Sequence, residues 1–179
     1  MRIVYAALDQ RVPGTTGGSV HVTAVAEGLA ALGHDVDVLT TPGPGPFPAG
    51  RARWHAMAPP LGLRHLRLLR AEAVRAFAAR AQADVIIERY HNFGGEGVRA
   101  AAATGAVAVL EVNAPVVDYP GSPKARLDRA LLVEPMRRWR DRQCRLADLI
   151  VTPAAEVLPA FVPRERIAEL EWGADTERF

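Results

Sequence analysis

The 179-residue chain has little cysteine, little lysine and no long hydrophobic run. Its single cysteine, Cys144, excludes an internal disulfide and a metal site built from cysteines alone. No apolar stretch reaches the ~18 residues that a membrane-spanning helix needs. The N-terminus enters a strand directly and lacks the apolar segment and cleavage site of a signal peptide. These absences predict a cytoplasmic protein.

Net charge is also small. The chain carries 22 Lys and Arg against 20 Asp and Glu, and Lys124 is its one lysine. A balance of +2 is too weak to predict a nucleic-acid partner. Apolar residues make up 49% of the chain, which is typical of a folded domain and excludes global disorder.

Apolar runs alternate with amphipathic segments, a pattern that predicts an α/β fold with a Rossmann-like parallel sheet and helices on both faces. We expect strands at 3–8, 35–40, 53–58, 84–88, 106–112, 149–152 and 167–170. We expect helices at 19–32, 61–82, 95–104, 125–147 and 154–161. Right-handed crossovers would place the loops that follow the strands at the carboxyl edge of the sheet, where such sheets bind ligands.

A glycine pair stands between the first strand and the first helix. Gly17 and Gly18 let a ligand approach the backbone, and the helix that we expect to begin at Ser19 directs its positive end there. The sequence therefore predicts a phosphate site, with an ordinary turn as the alternative. The region lacks the G-x-G-x-x-G of nicotinamide sites, and the chain has no Walker loop. His21, in the first turn, either binds a ligand or packs.

Polar residues also follow two later strands. Glu88, Arg89 and Tyr90 end one strand, and either orient a ligand or form an internal ion pair. Glu111 and Asn113 share one face at the end of the next strand and are candidates for a site.

Two further patterns have simpler explanations than a site. Asp35 and Asp37 fit a D-x-D metal motif, but strand alternation explains them, so we expect no metal and no cofactor. The arginines at positions 126, 129, 137, 138, 140, 142 and 145 indicate a solvated helix face. The alternative is peripheral contact with anionic lipid at a membrane surface.

Six segments together carry a resemblance to a known family. They are Gly17–His21, Leu29–Thr40, Asp84–Tyr90, Val109–Pro115, Leu146–Thr152 and Trp172–Phe179. In this order and spacing, the chain resembles the N-terminal domain of a group 1 glycosyltransferase, the retaining family 4 with two Rossmann-like domains (the GT-B architecture).

The resemblance implies a domain plan and a reaction. Residues 1–170 would form the acceptor-side domain and 171–179 the start of the interdomain hinge, with the donor domain absent. The full enzyme would move a sugar from a nucleoside-diphosphate sugar to a hydroxyl acceptor (a glycan, a lipid-linked molecule or a small molecule) with retention, and this chain alone would be inactive.

The resemblance also implies roles for the candidate residues. Gly17, Gly18 and Ser19 would bind the donor diphosphate, and Asn113 with Glu111 would be catalytic. The acceptor side would comprise His21, Glu88, Arg89, Tyr90 and Asp118. The chain departs from the family pattern at Asn113, where histidine is common, and at Trp172, where asparagine is usual.

Two other functions remain open on sequence grounds. The chain could be a stand-alone Rossmann module that binds a nucleotide or a partner without turnover. It could also be half of a sugar-nucleotide epimerase, although the acid and base residues for that chemistry are sparse in its loops.

Overall fold

A computed structural model describes residues 1–62, 69–92, 94–114, 121–131 and 134–171. Its centre is a seven-stranded, all-parallel sheet with the strand order β3-β2-β1-β4-β5-β6-β7. The strands are β1 (Arg2–Val12), β2 (Asp35–Pro42), β3 (Arg53–Ala56), β4 (Val85–Arg89), β5 (Val107–Glu111), β6 (Leu149–Thr152) and β7 (Ile167–Glu169). The order reverses between β1 and β4, which creates a crevice at the carboxyl edge of the sheet.

Helices cover both faces of this sheet. They are α1 (Gly17–Ala31), α2 (Ala71–Ala81), α3 (Glu96–Thr104), α4 (Pro123–Leu131) and α5 (Pro135–Leu146). Helix α1 packs on one face through Val22 and Ala26, against the odd positions of β1. Helices α2, α3 and α5 pack on the other face, against the even positions. This arrangement confirms the Rossmann-like α/β fold predicted from the sequence.

Strand alternation explains this division of the core. Tyr5 and Ala7 face α1, whereas Val4 and Ala6 face α2 and α3, and all four are buried. A strand that is buried on both faces reads as a continuous apolar run, as Ile3–Leu8 does. Strand β1 extends beyond that run to Val12, with an irregular register against β2 between Ala7 and Arg11.

The helix predicted at 125–147 was wrong, because the structure has two helices there. Pro135 is the first residue of α5, and Glu134 before it has a positive φ of 45°. Proline lacks the N–H that a helix interior needs, so it begins a helix instead of continuing one. The Asp128 carboxylate of α4 accepts hydrogen bonds from the backbone N–H groups of Met136 and Arg137, which fixes the junction.

Two other predicted helices differ from the expectation. Of the helix predicted at 61–82, Ala71–Ala81 is confirmed as α-helix, the beginning is a short turn at Pro60–Gly62 in which Leu61 has a φ of 54°, and 63–68 lies outside the described residues. The helix predicted at 154–161 is a single 3₁₀ turn at Ala155–Val157. Leu158 is extended because it precedes Pro159, and residues before proline disfavour the helical region. No helix in the described ranges is both long and apolar enough to cross a membrane.

Candidate functional site

A cleft opens where α1 leaves the faces of β4, β5 and β6 uncovered. Its volume is about 480 Å³, and its polar end lies at the carboxyl edge of the sheet. The polar end is formed by His21, Glu111 and Asn113. The remainder is largely apolar and is lined by Ala24, Val25, Leu29, Ile87, Val109, Val151, Thr152, Pro153, Leu170 and Glu171. A concave apolar site with a few convergent polar groups is typical of ligand pockets.

Glu111 is the centre of the polar end. Its Oε2 accepts a hydrogen bond from the Tyr5 hydroxyl at 2.5 Å, and its Oε1 accepts one from Asn113 Nδ2 at 2.7 Å. The imidazole of His21 also hydrogen-bonds Oε1 through Nε2. One carboxylate therefore fixes side chains from β1, from α1 and from the loop after β5.

The surroundings of Glu111 keep it ionised. Burial alone would raise the pKa of its carboxyl, but the hydrogen bonds from His21, Tyr5 and Asn113 outweigh burial and hold that pKa below its usual value. Burial and the adjacent negative charge raise the pKa of Tyr5 well above normal, so Tyr5 stays a neutral donor. At neutral pH, Glu111 therefore accepts hydrogen bonds and has no proton to give.

Asn113 presents its remaining polar atoms to the cleft. One of its two amide hydrogens is taken by Glu111, and neither the other nor the carbonyl oxygen has a partner within the described ranges. A carboxamide held in this way can donate one hydrogen bond and accept another, which suits a sugar hydroxyl. It cannot act as an acid or a base.

Arg89 adds a positive charge beside this cluster. Its Nη1 lies 3.6 Å from Asp9 Oδ2, and both side chains are largely buried. Arg89 is also close enough to Tyr5 to lower the pKa of that hydroxyl slightly against the larger effect of burial. The arginine that sequence reasoning placed on the acceptor side thus lies near the polar end of the cleft, in an ion pair.

The glycine pair lies within α1 and not in a loop before it, so the predicted helix start at Ser19 was wrong. Thr16 caps the helix, because its Oγ1 accepts a hydrogen bond from Ser19 N at 3.3 Å and its backbone oxygen accepts one from Val20 N at 3.0 Å. The N–H groups of Gly17 and Gly18 have no partner in the part of the chain that the structure describes. They are thus available at the positive end of α1.

The contacts of the first turn of α1 explain why serine and glycine occupy it. The Ser19 hydroxyl donates to the Arg11 carbonyl oxygen at 2.8 Å, so Ser19 holds the turn and does not face solvent. A Cβ on Gly18 would lie 2.1 Å from Gln10 Oε1, whereas a Cβ on Gly17 would meet nothing within 4 Å. Gly17 is therefore the glycine that leaves open space for a ligand.

Glu88 lies away from the cleft, on the α3 side of the sheet. It is fully buried, and its two oxygens accept hydrogen bonds from Gly95 N at 2.6 Å and Val98 N at 2.8 Å. The carboxyl group of Glu88 therefore caps the start of α3. This is neither the ligand contact nor the ion pair that the sequence left open, because a helix start offers unpaired N–H donors instead of a charged side chain.

The remaining residues singled out from the sequence lie away from the cleft or outside the described residues. Tyr90 is partly buried and packs against the α2–α3 core, on the side away from the cleft. Asp118 and the hinge segment 172–179 lie outside the described residues. Asp37, half of the D-x-D pattern, accepts hydrogen bonds from Arg53 and His55. Among the described residues, no cluster of three or more His, Cys, Asp or Glu has the geometry of a metal site.

Sequence reasoning missed Tyr5 and Asp9. Tyr5 lies in the middle of an apolar run and reads as core, although a buried phenol needs a hydrogen-bond partner. Asp9 follows Leu8 directly at the carboxyl end of the predicted first strand. This position is the same signal that singled out Glu88 and Glu111, so Asp9 could have been found.

Several solved structures share this fold. Sucrose-phosphate synthase from Thermosynechococcus elongatus is 18% identical over 99% of the chain, with a TM-score of 0.72. UGT2 from Phytolacca americana, solved with UDP-2-fluoro-glucose and pterostilbene, is 14% identical over 95% of the chain, with a TM-score of 0.61. MurG from Acinetobacter baumannii is 15% identical over 89%, with a TM-score of 0.55.

The chain covers 49%, 53% and 43% of these three proteins, respectively, or about half of each. At such identities the likeness shows the fold alone, and it confirms the predicted Rossmann-like half of a GT-B enzyme. No curated protein sequence matches the chain. The sequence model of Glycosyltransferase Family 4 matches residues 15–178, which is nearly the whole chain. The chain therefore belongs to Glycosyltransferase Family 4.

Proposed function

We propose that this chain is the acceptor-side domain of an enzyme that transfers a sugar from a nucleoside-diphosphate sugar to a hydroxyl acceptor with retention of configuration. The observation that carries the proposal is the Glu111 cluster, in which one ionised carboxylate orients His21 and Asn113 at the mouth of the cleft. This cluster lies at the carboxyl edge of the sheet, the edge at which Rossmann-like domains bind ligands.

The start of α1 and the cleft each have a role in this proposal. The free N–H groups of Gly17 and Gly18, at the positive end of α1, stabilise the negative charge of the departing diphosphate. Asn113 holds a hydroxyl of the donor sugar, and Glu111 positions Asn113 without touching the substrate. His21 faces the same space and contacts the acceptor or the phosphate.

The reaction needs no protein nucleophile in this scheme. The bond between the anomeric carbon and the phosphate oxygen breaks, and the acceptor oxygen attacks from the same face. The acceptor proton passes to the departing phosphate oxygen, so atoms and charge balance. A cleft that excludes water strengthens the electrostatic contacts to the developing charge. No metal and no cofactor take part in the proposed steps.

The rest of the site would come from a second domain. Residues 1–170 would form the acceptor-side domain and 171–179 the start of a hinge. This division is consistent with a chain about half as long as the glycosyltransferases of similar fold. Closure of the two domains would complete the site, so we expect residues 1–179 alone to bind weakly and not to turn over a nucleotide sugar.

Ligand-induced stabilisation of the polypeptide at its full natural length tests the site. A ligand at 100 times its dissociation constant stabilises the folded state by about 2.7 kcal/mol, so a screen of nucleotide sugars should find a donor that raises the melting temperature. We expect Asn113→Ala and His21→Ala to remove most of this ligand-induced rise. His34→Ala is the control, because His34 is partly buried just after α1 and does not line the cleft, and it should leave the ligand-induced rise unchanged.

If no nucleotide sugar stabilises the wild-type protein, or if His21→Ala and His34→Ala behave alike, the cleft is not the donor site. Binding without any transfer to a range of hydroxyl acceptors would instead support the non-catalytic module.

A further inference from the structure

A second pocket lies on the face of the sheet opposite α1, between the start of α3 and the length of α5. Its volume is about 190 Å³. It is lined by Gly94, Gly95, Arg99, Pro135, Arg138, Trp139, Arg142, Gln143 and Leu146. None of these residues lines the cleft at Glu111, so the two cavities are separate.

Three arginines share this pocket without a counter-charge. Arg99 comes from α3, and Arg138 and Arg142 come from successive turns of α5. None of the three forms an ion pair with a carboxylate in the described part of the chain, and the lining contains no Asp or Glu. By contrast, their neighbours Arg137 and Arg140 are paired with Glu134 and Asp141.

The pocket is held in shape by contacts of its own. The Trp139 indole N–H donates to the Gly94 carbonyl oxygen at 2.7 Å, which ties α5 to the start of α3. Gly95 has a φ of 108°, and a Cβ there would lie 3.3 Å from Gln143 Cγ. Glycine at this position therefore keeps the wall of the pocket close to α5.

The backbone N–H groups at the start of α3 are not the source of the positive charge in this pocket. The first N–H groups of α3 are used by Glu88, since Gly95 N and Val98 N donate to the oxygens of its carboxyl group. Glu96, at the start of α3, is buried and pairs inward with Arg70. The positive charge of the pocket therefore belongs to the arginine side chains.

We propose that this pocket binds a phosphate group, as a monoester or a diester, through Arg99, Arg138 and Arg142. Three like charges around one cavity repel each other, and an anion placed between them removes that repulsion. Guanidinium groups match the oxygens of phosphate in geometry and donate charge-assisted hydrogen bonds to them. The phosphate can come from a soluble ester or from a lipid headgroup, and the two sources are separated by experiment.

The test follows the Trp139 indole N–H resonance by NMR in the ¹⁵N-labelled chain. Inorganic phosphate is titrated at constant ionic strength set with sodium chloride. In a parallel arm, vesicles of phosphatidylcholine with and without phosphatidylglycerol are added. We expect a saturable change of the Trp139 signal with phosphate, with phosphatidylglycerol vesicles, or with both, and none with phosphatidylcholine alone.

Variants assign the effect to the pocket. Arg138→Gln and Arg142→Gln should each raise the half-saturating concentration at least threefold, and the double variant at least tenfold. Arg80→Gln on α2 and Arg145→Gln on α5 each remove one positive charge outside the pocket. These control variants should leave the half-saturating concentration unchanged. The proposal is overturned if neither phosphate nor anionic vesicles give a saturable change. It is also overturned if the control variants weaken binding as much as the pocket variants.

Discussion

Replacement of Glu111 by alanine is expected to lower the free energy of unfolding by about 3 kcal/mol and to abolish ligand binding in the cleft. The buried hydroxyl of Tyr5 would lose its acceptor, and a buried polar group without a partner costs about 1–3 kcal/mol. Asn113 and His21 would also lose the group that orients them. Urea denaturation measures the first effect, and ligand-induced stabilisation measures the second.

The variant Tyr5→Phe separates the loss of stability from the loss of ligand binding. This variant removes the buried hydroxyl but leaves Glu111 in contact with His21 and Asn113. We expect it to cost about 1 kcal/mol of stability and to retain ligand binding. In the double variant Tyr5→Phe with Glu111→Ala, the loss should be smaller than the sum of the single losses, since no unpaired hydroxyl remains. Strict additivity, or a Glu111→Ala protein as stable as wild type, would show that Glu111 is not the centre of the cluster.

Stability is expected to fall as the pH rises from about 5 to 8, because of Glu88. Burial and the nearby Glu96 raise the pKa of Glu88 from its ordinary value of 4.5 to about 8, against hydrogen bonds from the start of α3. Between these values the folded state holds a proton that the unfolded state has released, so each increase in pH favours unfolding. Each pKa unit corresponds to about 1.4 kcal/mol, so the loss approaches roughly 3–5 kcal/mol.

Other charged groups around Glu88 contribute to the pH dependence. Glu96, Arg70 and His91 lie in the same buried region, with Arg70 Nη2 3.3 Å from Glu96 Oε1 and His91 Nε2 3.9 Å from Glu96 Oε2. The difference between wild type and Glu88→Gln isolates the contribution of Glu88, because the amide does not titrate. We expect a flatter dependence between pH 5 and 8 in this variant, measured by urea denaturation at several pH values.

Glu27→Gln is the matched control for that measurement. Glu27 also accepts two backbone hydrogen bonds, from Arg51 N and Ala52 N, but it is only partly buried. This variant should keep the pH dependence of wild type. If Glu88→Gln also keeps the pH dependence of wild type, Glu88 is ionised in the folded protein throughout the range from pH 5 to 8.

Strands were easier to predict from the sequence than helices. The central strands are apolar on both faces, so Ile3–Leu8 and Leu149–Thr152 stand out as continuous runs in the sequence. The prediction of a single helix at 125–147 was wrong because it followed the arginine-rich pattern and not Pro135. That proline is a local signal for a new helix start, and it was present in the sequence. The positive φ of Leu61 had no such signal, since leucine rarely adopts that conformation.

The position of the site could be predicted from the sequence, but the contacts of its side chains could not. The ends of parallel strands meet at one edge, so Glu111, Asn113 and the start of α1 could be brought together on topology alone. The sequence could not show that Glu88 and Glu111 point to opposite faces, one beneath α3 and the other into the cleft. Strand boundaries that are uncertain by one residue reverse the face on which a side chain lies.

The most direct test of the central claim is the anomeric configuration of a transferred sugar. The polypeptide at its full natural length would be given nucleotide sugars and hydroxyl acceptors, and the product examined by NMR. We predict transfer with the configuration of the donor retained. We also predict a rate at least 100-fold lower in Asn113→Ala and unchanged in His34→Ala. An inverted product, or transfer at the wild-type rate by Asn113→Ala, would contradict this account.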